Sequence, residues 1–112
     1  MFLRFSSLYF KLDKYPSANC YCSICWRTSG APFVSWLAIP VNLFKYINIK
    51  PKKIKSSAHG TRFFCKECGT PIACVLEEDP ENINITVAIL DKPEEFEPKA
   101  KIYVDDMLDW LK

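Results

Sequence analysis

Five of the six cysteines in this 112-residue chain fall in two tight clusters, Cys20-Tyr21-Cys22-Ser23-Ile24-Cys25 and Cys65-Lys66-Glu67-Cys68-Gly69. That crowding constrains the fold more than any other feature. Disulfide frameworks spread their cysteines so that each bridge closes a long loop, whereas clustered thiols converge on a metal ion. The spacing has a mechanical reason. Residues i and i+2 of an extended backbone point to the same side, so Cys20 and Cys22 project together. A two-residue gap lets a turn wrap round an ion and bring Cys25 to it. Cys65 and Cys68 bracket a knuckle, with Gly69 suited to the positive φ that follows such a turn. Soft thiolates in a tetrahedral shell make Zn²⁺ the expected metal, with iron–sulfur clusters the lesser alternative. Cys74 stands apart in the apolar run Ile72-Ala73-Cys74-Val75-Leu76 and reads as a buried strand thiol.

A chain of this length builds one domain, residues 1–112, with one modest core. Hydrophobic residues make up 49% and charged residues 25%, too apolar for a disordered chain. The apolar run Phe33 to Val41 carries Ser35 and Pro40 and falls well short of the ~20 residues a membrane helix needs. Ser6, Ser7 and Lys11 stand where a secretion signal requires an apolar stretch, so a cytoplasmic protein is expected. The net charge of +2 hides an asymmetry: ten basic residues and one acid up to Arg62, then five basic residues and twelve acids. The basic stretch Lys50, Lys52, Lys53 and Lys55 reads as a solvated loop, and the small net charge disfavours a nucleic-acid partner.

Short aromatic and β-branched runs mark strands over 2–12, 33–39, 43–49, 62–64, 72–76 and 83–89. Gly and Pro signals separate them, at Gly30-Ala31-Pro32, Pro51, Gly69-Thr70-Pro71 and Asp79-Pro80 among others. Helix is expected only over Asp105 to Leu111, with a short turn after Cys25. The sum is an all-β domain of short strands fastened by metal knuckles.

The segments C-Y-C-S-I-C-W-R-T-S-G-A-P-F, R-F-F-C-K-E-C-G-T-P-I, I-L-D-K-P and W-L occur in that order. The chain therefore resembles the glutathione-dependent formaldehyde-activating enzyme family, which includes the centromere protein V group, from about Asn19 to Leu111. The resemblance implies a β-tent of small antiparallel sheets meeting at zinc sites. It gives Cys20, Cys22 and Cys25 the catalytic zinc, and Cys65 and Cys68 half of a structural site. The other half in the family is an N-terminal C-x-C-G motif. No cysteine precedes Cys20 here, so an incomplete or empty second site is expected. Lys101 stands where the family usually has His, and Ala88-Ile89 where a Gly is common.

The activity implied is that of a carbon–sulfur lyase acting on a glutathione adduct of a small aldehyde, of the S-hydroxymethylglutathione type. Glutathione is then the co-substrate. Arg27, Thr28 and Ser29 follow the ligands and are candidates to meet one of its carboxylates, against the plainer reading of local loop hydrogen bonds. His59 reads as a loop residue, and Arg62 and Trp36 as packing residues. The alternative from another class is a non-catalytic zinc module that presents a binding surface.

Overall fold

The computed structural model describes residues 15–44 and 51–112. Seven strands form one hydrogen-bonded sheet in the order β3-β4-β5-β6-β2-β1-β7. They are β1 (Ser17–Cys20), β2 (Val34–Pro40), β3 (Lys52–Ser57), β4 (Gly60–Phe64), β5 (Pro71–Leu76), β6 (Asp79–Thr86) and β7 (Ala100–Ile102). Among the described residues one α-helix, α1 (Ser23–Ser29), lies between β1 and β2. The all-β expectation therefore holds, with the strands joined in a single ladder.

Alternation along the strands divides the molecule into two sides. Leu37 and Ile39 of β2 join Ile72 of β5 and Ile83 and Ile85 of β6 in the main core, closed by Val87, Leu90 and Phe96. Leu37, Ile39, Ile72 and Ile85 are fully enclosed. The intervening β2 residues Val34 and Trp36 face a second cluster with Cys20, Cys25 and Cys74. One set of β-branched strands thus supplies the core from one register and the wall of the cysteine cluster from the other.

The C-terminal strand closes the sheet on the cysteine side. β7 pairs with β1 in parallel, Cys20 opposite Ile102, while every other pairing among the described residues is antiparallel. The Tyr21 amide donates to the Ile102 carbonyl at 3.0 Å and the Lys99 amide to the Ser17 carbonyl at 3.0 Å. The chain end therefore braces the strand that carries Cys20.

Several local expectations change. The expected C-terminal helix is two single 3₁₀ turns, Val104–Asp106 and Asp109–Leu111, separated by extended Met107 and Leu108. Three Asp residues and a stretch of only a few residues give too little helix propensity to overcome nucleation. The basic stretch, read as a loop, forms β3 from Lys52 onward, paired with β4 from Lys52↔Phe64 to Ser57↔Gly60. β3 is an edge strand, where exposed lysines discourage pairing with another chain. The run 83–89 ends as a strand at Thr86 and continues as a 3₁₀ turn. The predicted strand 2–12 and most of 43–49 lie outside the described residues.

Candidate metal centre

Cys20 ends β1, Cys22 caps α1 and Cys25 sits in its first turn. The Cys25 amide donates to the Cys22 sulfur at 3.3 Å, so a thiol does the capping work usually left to a hydroxyl or carboxylate. The helix stops at Gly30, whose φ of 67° is left-handed and whose amide donates to the Trp26 carbonyl. A Cβ at Gly30 would meet nothing within 4 Å, so the demand there is backbone conformation alone. Gly30→Ala is accordingly expected to cost about 1–2 kcal/mol in urea unfolding, from the left-handed backbone. No loss would mean that the turn rearranges freely.

The sulfurs of Cys20, Cys22 and Cys25 all lie within 4.8 Å of one another. Sulfurs about 2.3 Å from a tetrahedral zinc stand about 3.8 Å apart, so small side-chain adjustments seat an ion among them. Cys20 and Cys25 are buried and Cys22 half-buried. The donor set, three soft sulfurs partly shielded from water, fits a soft divalent ion. Without an ion the thiols divide their protons unequally. A hydrogen bond from Cys20 pulls the Cys25 thiol down to about 5, against its own burial, and Trp36, Cys22 and Arg62 act in the same downward direction. Cys20 is correspondingly pushed up, first by that bond and then by burial. Burial also raises Cys22.

Two residues read from the sequence as packing groups stand at this cluster. The Arg62 Nη2 donates toward the Cys25 sulfur at 3.6 Å and Nε donates to Ser56 Oγ at 3.0 Å. Its guanidinium lies 5.6 Å from the centroid of the Trp36 ring. The one available sequence signal is a cation opening an aromatic strand run. Cys74 is buried in β5, as expected, and faces this same cluster. Its thiol is raised by burial.

A cavity of about 490 Å³ opens beside the cysteines, lined by all three together with Trp36, Arg62, Cys74 and, from the C-terminal segment, Ile102, Tyr103 and Asp106. That volume suits a small ligand. Tyr103 borders it with φ 55°, the one non-glycine residue with positive φ among the described residues. The Trp26 indole donates to the Asp106 carbonyl at 3.3 Å and ties α1 to that wall.

The remaining candidates lie elsewhere. Arg27 stacks 4.9 Å from the Trp26 ring centroid. Thr28 Oγ1 donates to the Ile24 carbonyl at 2.7 Å, and Ser29 Oγ to the Cys25 carbonyl at 2.7 Å. Thr28 and Ser29 line a second hollow of about 380 Å³, which shares Trp36 and Arg62 with the cavity beside the cysteines. His59 occupies the β3–β4 turn, 3.3 Å from Glu77. Cys65 and Cys68 form the expected knuckle: the Gly69 amide donates to the Cys65 carbonyl at 2.7 Å, and Gly69 has φ 78°. Cys68 is exposed, its sulfur 2.9 Å from Thr70 Oγ1, and that hydroxyl lowers its thiol pKa. Among the described residues Cys20, Cys22 and Cys25 form the one group of three or more potential ligands.

No helix among the described residues is long and apolar enough to cross a membrane. No curated protein matches the chain. The profile described as glutathione-dependent formaldehyde-activating enzyme matches residues 6–106, nearly the whole length and every cysteine. With its cysteine cluster and seven-stranded sheet, the chain belongs to the glutathione-dependent formaldehyde-activating enzyme family.

Proposed function

We propose that the chain is a zinc-dependent carbon–sulfur lyase that interconverts glutathione plus formaldehyde with S-hydroxymethylglutathione. The observation that carries this reading is the cavity: three clustered thiols, two buried and one half-buried, line one wall of a ligand-sized space. Cys20, Cys22 and Cys25 would hold the metal, and the cavity they line would admit a substrate thiol beside it. Zinc held there would favour the deprotonated form of a substrate thiol near neutral pH.

In the forward direction the glutathione sulfur forms a bond to the formaldehyde carbon. The carbonyl π pair moves to oxygen, which takes up a proton. The reverse step breaks that carbon–sulfur bond and releases both reactants. The chain's own contribution is proximity. β1 and α1 fix the three sulfurs, Trp36 and Ile102 supply apolar walls, and Arg62 keeps a cation beside them. Six unpaired thiols suit a reducing compartment, so the cytoplasm is the proposed location.

The test is two-dimensional exchange NMR on glutathione and ¹³C-formaldehyde. The protein loaded with zinc should accelerate interconversion with the adduct, and its Cys25→Ala variant should not. Equal exchange with and without protein would remove the lyase reading and leave a non-catalytic metal module.

We further propose that this 112-residue chain holds one zinc. Cys65 and Cys68 supply only two sulfurs, and a structural zinc needs four ligands. Plasma emission spectrometry should therefore return about one zinc per chain for the wild type and for the Cys65→Ser/Cys68→Ser double variant, following the single three-sulfur cluster. A value near two that falls in the double variant would place a second metal at the knuckle.

A further inference from the structure

Arg62 is the cation of the cavity wall, and its surroundings are unusual for a half-buried arginine. A guanidinium withdrawn from water ordinarily faces a carboxylate. Among the described residues no carboxylate stands within ion-pair distance of Arg62; the ion pairs all involve other residues. Its close polar partners are a neutral hydroxyl, Ser56 Oγ at 3.0 Å, and the sulfur of Cys25 at 3.6 Å. The bond to Ser56 and the face of Trp36 fix the plane of the fork, so Nη2 is aimed at the sulfur rather than swinging into solvent. The carboxylates that line the cavity, Glu78 and Asp106, are exposed and repel an anionic ligand.

Charge counting gives this arrangement a purpose. A divalent ion and three thiolates sum to −1, and a fourth thiolate takes the total to −2. In a partly dry cavity that second charge is costly unless a cation stands against the shell. We propose that Arg62 is a positioning residue of the metal centre, holding the Cys25 thiolate and supplying the charge that lets a three-thiolate site accept a fourth, anionic thiol. This rests on the reading that a metal at Cys20, Cys22 and Cys25 takes the substrate thiol. Hydrogen bonds from outer groups to metal ligands commonly change affinity or activity by about 10–100-fold, and an aimed guanidinium belongs to that class.

The experiment uses the 112-residue chain loaded with Co²⁺, whose thiolate charge-transfer absorption reports each sulfur ligand directly. Wild type, Arg62→Gln and Arg62→Lys are titrated with glutathione and, separately, with uncharged 2-mercaptoethanol. Both variants should bind one Co²⁺ through the same three cysteines. Arg62→Gln should bind both thiols about 10–100-fold more weakly, and Arg62→Lys, which keeps the charge, should lose less. Unchanged thiol affinity in Arg62→Gln, or equal loss in the two variants, overturns the proposal. A loss confined to glutathione also overturns it, because Arg62 would then be a carboxylate clamp. Failure of Arg62→Gln to load cobalt while Arg62→Lys loads and binds thiol like wild type supports the charge role; failure of both to load overturns it. A wild type that gains no thiol ligand at all defeats the lyase reading itself, and this inference falls with it.

Discussion

Replacing Cys22 by Ser is expected to abolish metal binding at the cluster and to lower stability by about 4 kcal/mol when free zinc stands about 1,000-fold above its dissociation constant. The choice of residue isolates the metal. Cys22 caps α1 through its sulfur, and Ser is itself a favoured N-cap, so the local helix start is preserved. What the substitution removes is one of three sulfurs that converge within 4.8 Å. Two sulfurs and a hydroxyl make a poor shell for a soft ion. Urea unfolding of both proteins, with zinc and with a chelator, checks this. In chelator the two midpoints should converge. A wild type that is equally stable in both conditions would show that metal and folding are uncoupled.

The second large effect belongs to the sheet. Ile85→Ala is expected to destabilise the protein by about 2–5 kcal/mol, the range for deleting a fully buried branched side chain. Ile85 has 0% exposure and stands opposite Leu37 on β2 and Ala73 on β5, at the centre of the ladder. Against a typical total of about 5–15 kcal/mol, such a loss brings a domain of this size near unfolding at room temperature. Val41→Ala, at a residue 46% exposed in a 3₁₀ turn, serves as the control and should change stability by less than about 0.5 kcal/mol. Equal effects at the two positions would mean that the main core is not where the stability resides.

Much of this was legible because it is local. Cys20, Cys22 and Cys25 lie within six consecutive residues, so their convergence needs only a strand end and one helical turn. The apolar runs of β2, β5 and β6 announce themselves by their own composition. What the sequence concealed is set by pairing between distant segments. Arg62 reaches Cys25 across 37 residues of chain, because β4 and the first turn of α1 meet on one side of the sheet. Lys52 to Ser57 lacks an apolar alternation and becomes a strand only because β4 offers it an edge. The parallel pairing of β7 with β1 depends on three exposed residues, of which Ala100 and Lys101 have weak strand character and only Ile102 favours a strand. The acidic tail has the Asp residues of a helix start without the length to propagate one.

The family and the cysteine cluster leave one question that decides the account: whether the metal held by Cys20, Cys22 and Cys25 has a position free for a substrate thiol. A site closed by a fourth protein sulfur is a staple, and Cys74, buried in the same cluster, is a candidate to close it. X-ray absorption at the zinc edge measures this directly, on the protein with one zinc per chain before and after glutathione is added. The account predicts about three zinc–sulfur contacts near 2.3 Å rising to about four, with loss of a lighter oxygen or nitrogen neighbour. About four sulfurs at the outset, or no gain on adding glutathione, would contradict it.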